Sequence, residues 1–353
     1  NRCKLPIIAI YRYYGRVFSR KVKPPNIKCF FRFSIVQKYI IITIMGFFRR
    51  IFLFLVVATF TSPLSADSTL EALAHKGVSS GLNSLGNLVH SLIPGEGDTE
   101  VSFRTQDNYD LTYSILAVRP IAFNPYPQLS NEHLYFTQLR FGNHEPYANG
   151  DQRHLLNVGL GFRTLMNDNN AILGANIFYD RDDEEHERGS VGVEFLANNF
   201  EVYGNIYDRL SDRASYVHGS TTITEEVLNG YDYSLVGQIP YMPWAKAVYK
   251  GYKWDATGTD IEGYNMSLEA QLVRGLILEY GRNKPDNQST EDFASITFRY
   301  PSDHLTPTAV SHGITEYAFP VKNMKNEMLH KVRRTNNIIT EKNMGGVFIA
   351  RSN

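Results

Sequence analysis

Residues 157–208 read NVGLGFRTLMNDNNAILGANIFYDRDDEEHERGSVGVEFLANNFEVYGNIYD, and this stretch decides the fold. It divides into four strands of near ten residues. Met166-Asn-Asp-Asn-Asn170 turns the chain once, Arg181-Asp-Asp-Glu-Glu-His-Glu-Arg188 a second time, and Ala197-Asn-Asn199 a third. Within each strand the side chains alternate with period two. Ala171, Leu173, Ala175, Ile177 and Tyr179 share one face, with Gly174, Asn176 and Asp180 on the other. Val191, Val193 and Phe195 oppose Gly192 and Glu194. A half-apolar strand packs on a soluble core or faces lipid, and period alone leaves both open.

Composition narrows the choice. The 353 residues are 43% hydrophobic and 13% aromatic, with Tyr and Phe far outnumbering Trp, a β composition. The formal net charge is zero, yet 12 of the 36 basic residues and no acidic one precede Asp67. From Asp67 onward 24 basic residues face 36 acidic ones, a net of −12. That balance argues against a nucleic-acid binder. The only cysteines, Cys3 and Cys29, lie in the first segment, so the rest has no thiol chemistry and no Cys-ligated metal.

Residues 1–44 are basic and aromatic without a helical or strand period, and are read as upstream translation outside the working protein. Met45-Gly-Phe-Phe-Arg-Arg50, the apolar run Ile51–Phe60 and the exit Thr61-Ser-Pro-Leu-Ser-Ala66 have the three regions of a secretory signal over 45–66. Residues 67–97 are expected to hold a short periplasmic helix and linker, since Leu70, Leu73, Val78, Leu82, Leu85, Val89 and Leu92 recur at spacings of three and four before Pro94-Gly95.

From 98 to 301 twelve strands are expected: Val101–Gln106, Leu111–Ile121, His133–Phe141, His154–Thr164, Ala171–Asp180, Gly189–Leu196, Phe200–Asp208, Tyr231–Tyr241, Ala245–Trp254, Tyr264–Val273, Leu276–Arg282 and Asp292–Tyr300. One face of many carries Glu, Gln, Asn and Arg mid-strand, which suits a wet lumen, and aromatics sit near strand ends, as in interfacial girdles. Connections after even strands are mostly tight turns; those after odd strands are longer and polar, Arg209–Gly230 above all. That asymmetry is the pattern of a transmembrane barrel, and only a closed barrel carries strands through lipid with every backbone group paired. Residues 302–343 follow as a linker, with Asn323–Arg334 readable as a helix and Arg334–Glu341 as extended; 344–353 form a tail.

Enzyme signatures are lacking. There is no Gly-rich phosphate loop, HExxH or nucleophile elbow. Asp182-Asp183-Glu184-Glu185-His186-Glu187 has the donors for a divalent cation, but a charge run of this kind reads first as a solvated loop. No catalytic, cofactor-binding or metal residue is assigned, and no cofactor is expected. Pro240-Tyr-Met-Pro-Trp244 reads as a rigid turn that sets Tyr241 and Trp244 at headgroup depth. Phe298-Arg-Tyr300 ends the last strand either as an assembly signal or as part of the girdle.

Asn157-Val-Gly-Leu-Gly-Phe-Arg163, Leu173-Gly-Ala-Asn-Ile-Phe-Tyr-Asp180, Gly192-Val-Glu-Phe195, Asn229-Gly-Tyr-Asp232 and Ile239-Pro-Tyr-Met-Pro-Trp244 together resemble the intimin/invasin, or inverse autotransporter, β-domain. The likeness runs from about Ser68 to Glu341. It implies a twelve-stranded outer-membrane barrel with a periplasmic N-terminus, reached through the secretory pathway, which exports and anchors a C-terminal adhesin passenger. It also implies that Met328–Ile339 is a helical plug with an extended exit, passing back through the lumen. The partners implied are outer-membrane lipid, periplasmic chaperones, the barrel-assembly machinery and, where a passenger is present, a host receptor; nucleic acid is not among them. This sequence departs from the family in having no lysin-type domain before the barrel. Roughly ten residues follow the linker, so the passenger is expected to be absent here. A stand-alone porin-like channel is the alternative function. Ile177 and Val193 are expected to face lipid, Asn176 and Glu194 the lumen, and the loop 181–188 the cell exterior.

Overall fold

A computed structural model describes residues 95–107, 109–121, 132–144, 153–218, 221–286, 288–301, 307–344 and 347–350. The signal at 45–66, the helix expected over 68–93 and residues 1–44 lie outside the described residues.

Twelve antiparallel strands close into a barrel. In chain order they are β1 (Thr99–Gln106), β2 (Thr112–Pro120), β3 (His133–His144), β4 (Arg153–Met166), β5 (Ala171–Asp182), β6 (Glu187–Ala197) and β7 (Phe200–Arg209). After the intervening β8 (Ala214–His218) and β9 (Thr221–Val227) come β10 (Gly230–Ile239), β11 (Met242–Trp254), β12 (Ile261–Val273), β13 (Leu276–Pro285) and β14 (Glu291–Tyr300). All twelve expected strands are wall strands. Each pairs with its neighbour in sequence, β7 passing directly to β10, and β1 pairs with β14 from Thr99↔Tyr300 to Gln106↔Phe293. Side chains fasten that seam: Ser102 Oγ lies 2.8 Å from Thr297 Oγ1, Gln106 Nε2 donates to Glu291 Oε2 at 2.7 Å, and Arg299 pairs with Asp98.

The alternation resolves the choice between core and lipid. Ile177 and Val193 are 55% and 60% exposed on the outer wall, whereas Asn176 and Glu194 inside are 3% and 2% exposed. Val158, Leu160, Leu173, Val191, Val202, Ile206, Leu235, Met266 and Leu268 extend the outer apolar band. So broad an exposed apolar surface suits hydrocarbon and would aggregate in water. No described helix is long and apolar enough to cross a membrane.

The two rims differ. At the turn rim, Asn167, Asp168 and Asn169 all take positive φ between Met166 and Asn170, a conformation that Asn and Asp tolerate better than most residues. Gly275 supplies the same freedom between β12 and β13. At the loop rim, the stretch expected as loop from Arg209 to Gly230 contains the β8–β9 hairpin. It belongs to a second sheet of order β16-β15-β9-β8, in which β15 (Thr340–Met344) pairs with β9 and β16 (Val347–Ala350) folds back on β15.

Candidate functional site

The lumen holds the chain's own linker. After β14, α1 (Ala309–His312) is a single turn. The backbone then runs along the turn rim, where Tyr241 N donates to Ala318 O, Lys322 N to Asn198 Oδ1 and Met324 N to Asn169 O. Trp244 lies at the turn rim and borders the lumen mouth, where its Nε1 donates to Gly313 O of the linker at 2.7 Å. Tyr241 remains exposed.

From Met324 the linker enters the barrel. Met324 and Met328 pack on Leu165, Ile172, Leu196, Tyr203 and Val236, and Val332 on Leu116, Val118, Phe136 and Phe178. Ile339 meets Tyr207, Leu228, Tyr252, Trp254 and Ile261 at the loop rim, where Leu228 N donates to Ile339 O. The path therefore leads from the turn rim to the loop rim. Of the helical plug and extended exit expected within Met328–Ile339, and the helix read over Asn323–Arg334, only one 3₁₀ turn forms, Met324–Glu327; from Met328 to Ile339 the chain has a turn and bends but no helix. A helix would hide its carbonyls in its own ladder, whereas here they are acceptors for wall arginines.

Three rungs of the wall form the cradle. On the first, Arg163, Gly174 and Glu194 are successive cross-strand partners. A Cβ on Gly174 would stand 2.4 Å from Glu194 Oε1. The glycine therefore lets Arg163 Nε reach over it to Glu194 Oε1 at 2.5 Å, leaving Nη1 to donate to Met328 O and His330 O at 2.8 and 2.6 Å. On the second rung, Arg140, Asn157, Asp180 and Arg188 are successive partners. Asp180 accepts from Arg188 Nε and Nη2 at 2.9 and 2.8 Å, and from Arg334 Nη1 and Nη2 at 2.8 and 2.6 Å. Arg188 also donates to Thr335 O and Asn337 O, and Asn157 Nδ2 to Asn336 O. On the third, Asn205 faces Asp232. Asp232 Oδ2 takes the Thr335 backbone N–H at 2.7 Å and its hydroxyl at 2.6 Å, while Asn205 donates to Arg333 O.

Aromatic rings line the cradle. Arg163 lies over Phe136, Arg334 over Phe178 and Arg188 over Tyr207, at 4.5, 4.3 and 4.4 Å from the ring centroids. Phe178 and Phe136 lie against Gly159 and Gly161, where a Cβ would stand 2.2 Å from each ring. Two further arms cross to the opposite wall. Lys331 Nζ reaches Glu100 Oε2 at 2.7 Å, and Arg333 forks onto Glu269 at 2.6 and 2.8 Å.

Many residues of this cradle lie in the quoted motifs: Asn157, Gly159, Gly161 and Arg163; Gly174, Phe178 and Asp180; Glu194; and Asp232, with Arg188 and Asn205 outside them. The model of the inverse autotransporter β-domain matches residues 68–336. The chain belongs to that family. As an inverse autotransporter β-domain it is an outer-membrane barrel and not a member of an enzyme family. No curated protein matches it. Among solved structures, a membrane protein from work on in-meso crystallisation is 21% identical with a TM-score of 0.57, covering 70% of this chain and 99% of its own; this is a likeness of fold. An outer-membrane channel from Pseudomonas putida F1 is 12% identical with a TM-score of 0.41, over 59% of this chain and 96% of its own. The β-domain of the Bordetella autotransporter BrkA is 11% identical with a TM-score of 0.32, over 57% and 98%.

The exit of the linker at the loop rim is tied by a residue that sequence reading had not singled out. Glu225 of β9 forks onto Arg153 of β4 at 2.7 Å through both oxygens, accepts from Thr340 Oγ1 at 2.7 Å and lies 3.7 Å from Lys342. Burial alone would raise its carboxyl. The hydrogen bonds and charge of Arg153, with help from Thr340, outweigh that and hold it down to about 2. Its signal was available in Thr221-Thr-Ile-Thr-Glu-Glu-Val227, a β-branched run that reads as a strand.

The acidic loop after β5 is stitched internally. Asp182 accepts from Glu184 N at 3.0 Å and His186 N at 2.9 Å, Asp183 pairs with His154, and Arg181 pairs with Glu185 and Glu187. Among the described residues no group of His, Cys, Asp or Glu has the geometry to hold a metal ion.

Proposed function

We propose that this barrel anchors and translocates a C-terminal passenger by inverse autotransport, carrying it along the path now held by the linker. The observation that supports the reading is the directed thread from Met324 at the turn rim to Ile339 at the loop rim, with its backbone carbonyls taken by Arg163 and Arg188. Backbone acceptors are common to every sequence, so a lumen that grips carbonyls suits a chain of varying side chains passing through it. Beyond the rim, β15 adds to β9, a ready seat for an emerging strand. The periplasmic N-terminus, the route through the secretory pathway and the encounters with periplasmic chaperones and the barrel-assembly machinery belong to the same proposal, as does contact with a host receptor by a passenger. The clamped linker weighs against the porin-like alternative.

The test is a small folded epitope domain fused after Asn353 and probed on intact cells. Export predicts antibody binding and protease sensitivity from outside. Detection only after permeabilisation, with the barrel itself inserted, would overturn the reading.

A further inference from the structure

The linker does not fill the lumen evenly. It leans on the wall from β3 to β7 and β10, where the cradle lies. On the other side, facing β1 and β12 to β14, two polar cavities remain. One, of about 400 Å³, opens around Trp244, Lys246, Asn323 and Glu327 near the turn rim. The other, of about 300 Å³, is lined by Arg104, Tyr109, Lys250 and Asn336 towards the loop rim. Both are bounded by Glu100, Glu269, Glu279, Ser295, Thr297, Lys331 and Arg333. The two cavities thus meet where two linker arms cross to the wall, Lys331 to Glu100 on β1 and Arg333 to Glu269 on β12.

We propose that Lys331 and Arg333 form a gate across a water-filled ion path that runs beside the linker, separate from the cradle that holds the linker in place. The distribution of contacts carries the inference. Anchoring belongs to Asp180, Arg163, Arg188 and Asp232, which grip the linker's other face and its backbone. The arms are side chains reaching to acidic partners, and Arg333 also donates to Glu201 of β7 at 3.2 Å. Removing them leaves Glu100, Glu269 and Glu279 lining the region that the two cavities share. Ser267 and Ser295 donate to the two Glu279 oxygens at 2.7 and 3.2 Å, which fixes the position of its carboxyl group. A ring of carboxylates at a constriction favours cations. The opened path is therefore cation-selective, and the closed barrel conducts poorly although the linker occupies only part of the lumen. This reasoning needs the linker in the lumen and is independent of passenger export.

The experiment is single-channel recording in planar bilayers of the full chain, with folding verified by heat-modifiable migration on gels. The unsubstituted chain is compared with Lys331→Ala/Arg333→Ala and with Glu100→Gln/Glu201→Gln/Glu269→Gln, which removes the partners of the same arms on the wall. Both variants are expected to raise conductance several-fold. The first is expected to shift the reversal potential in a KCl gradient towards the cation potential, the second less so. Unchanged conductance in both variants would overturn the gate. So would a rise in the first without cation preference, because that would mean the whole linker had left and bared Arg163 and Arg188. Either result leaves the export reading to its own test on intact cells.

Discussion

Arg334 of the linker and Asp180 of the wall meet through two parallel hydrogen bonds, 2.8 and 2.6 Å long, with both side chains fully buried. Asp180 has a second guanidinium, Arg188, on its other side. The carboxylate is thus the centre of a buried triad, and its removal leaves two facing cations. For Asp180→Ala we expect a loss of about 3–5 kcal/mol in linker docking, the cost typical of breaking a buried pair on one side. A cysteine at Ile338, 2% exposed and packed on Leu155 and Val227, should then react with maleimide in the folded barrel, while the unsubstituted background protects it. The wall ladders do not depend on Asp180, so heat-modifiable migration should persist.

Gly174 is the device that lets Arg163 reach Glu194. Gly174→Val should displace Glu194, free Arg163 from its partner and lower the temperature at which the barrel loses its folded migration. Gly204→Ala is the control, since a Cβ there meets only Val193 Cγ2 at an ordinary 3.9 Å. Equal losses at the two positions would contradict the steric account.

The outer band makes a prediction about lipid. Val193→Arg places a charge on the hydrocarbon face and should cost about 2–4 kcal/mol in the urea-dependent folding equilibrium in vesicles if it lies near the midplane. Val193→Leu should be close to neutral. The same arginine would be tolerated if this face were wet.

The exit clamp should respond to acid. The folded Glu225 carboxyl lies at about 2, below the ordinary glutamate value, so its contribution is complete above pH 4.5 and is lost as pH falls from there towards 2. Amides of Thr340–Met344 should lose hydrogen-exchange protection across that window, after correction for the intrinsic pH dependence. Glu225→Gln should abolish the pH dependence and start from the less protected level.

Much of this was legible in the sequence, and the reasons for the rest are physical. Period two along Asn157–Asp208 identified which face Ile177 and Asn176 take, because strand geometry leaves no third option. The resemblance pointed to the linker, but its conformation was misread. NMKNEMLHKVRR has a helical spacing of Met324, Met328 and Val332, yet Arg163 and Arg188 compete for the carbonyls that a helix would use. Tertiary demand outweighed local preference. The aromatic-proline context of Trp244 gave no sign of its partner, Gly313, because that residue is distant in sequence. The β8–β9 hairpin left a local signal in the β-branched run Thr221–Val227, whereas the pairing of β9 with β15, more than a hundred residues away, left none.

The central claim is that Met328–Ile339 is clamped inside the lumen. It is tested most directly by hydrogen exchange of two linker amides in the folded chain. Val332 N donates to Gln138 Oε1 at 2.8 Å, and Thr335 N to Asp232 Oδ2 at 2.7 Å. The account predicts protection at both amides on the scale of the β4 and β5 ladder. Exchange at the rate of an unstructured peptide, with the barrel strands still protected, would contradict it.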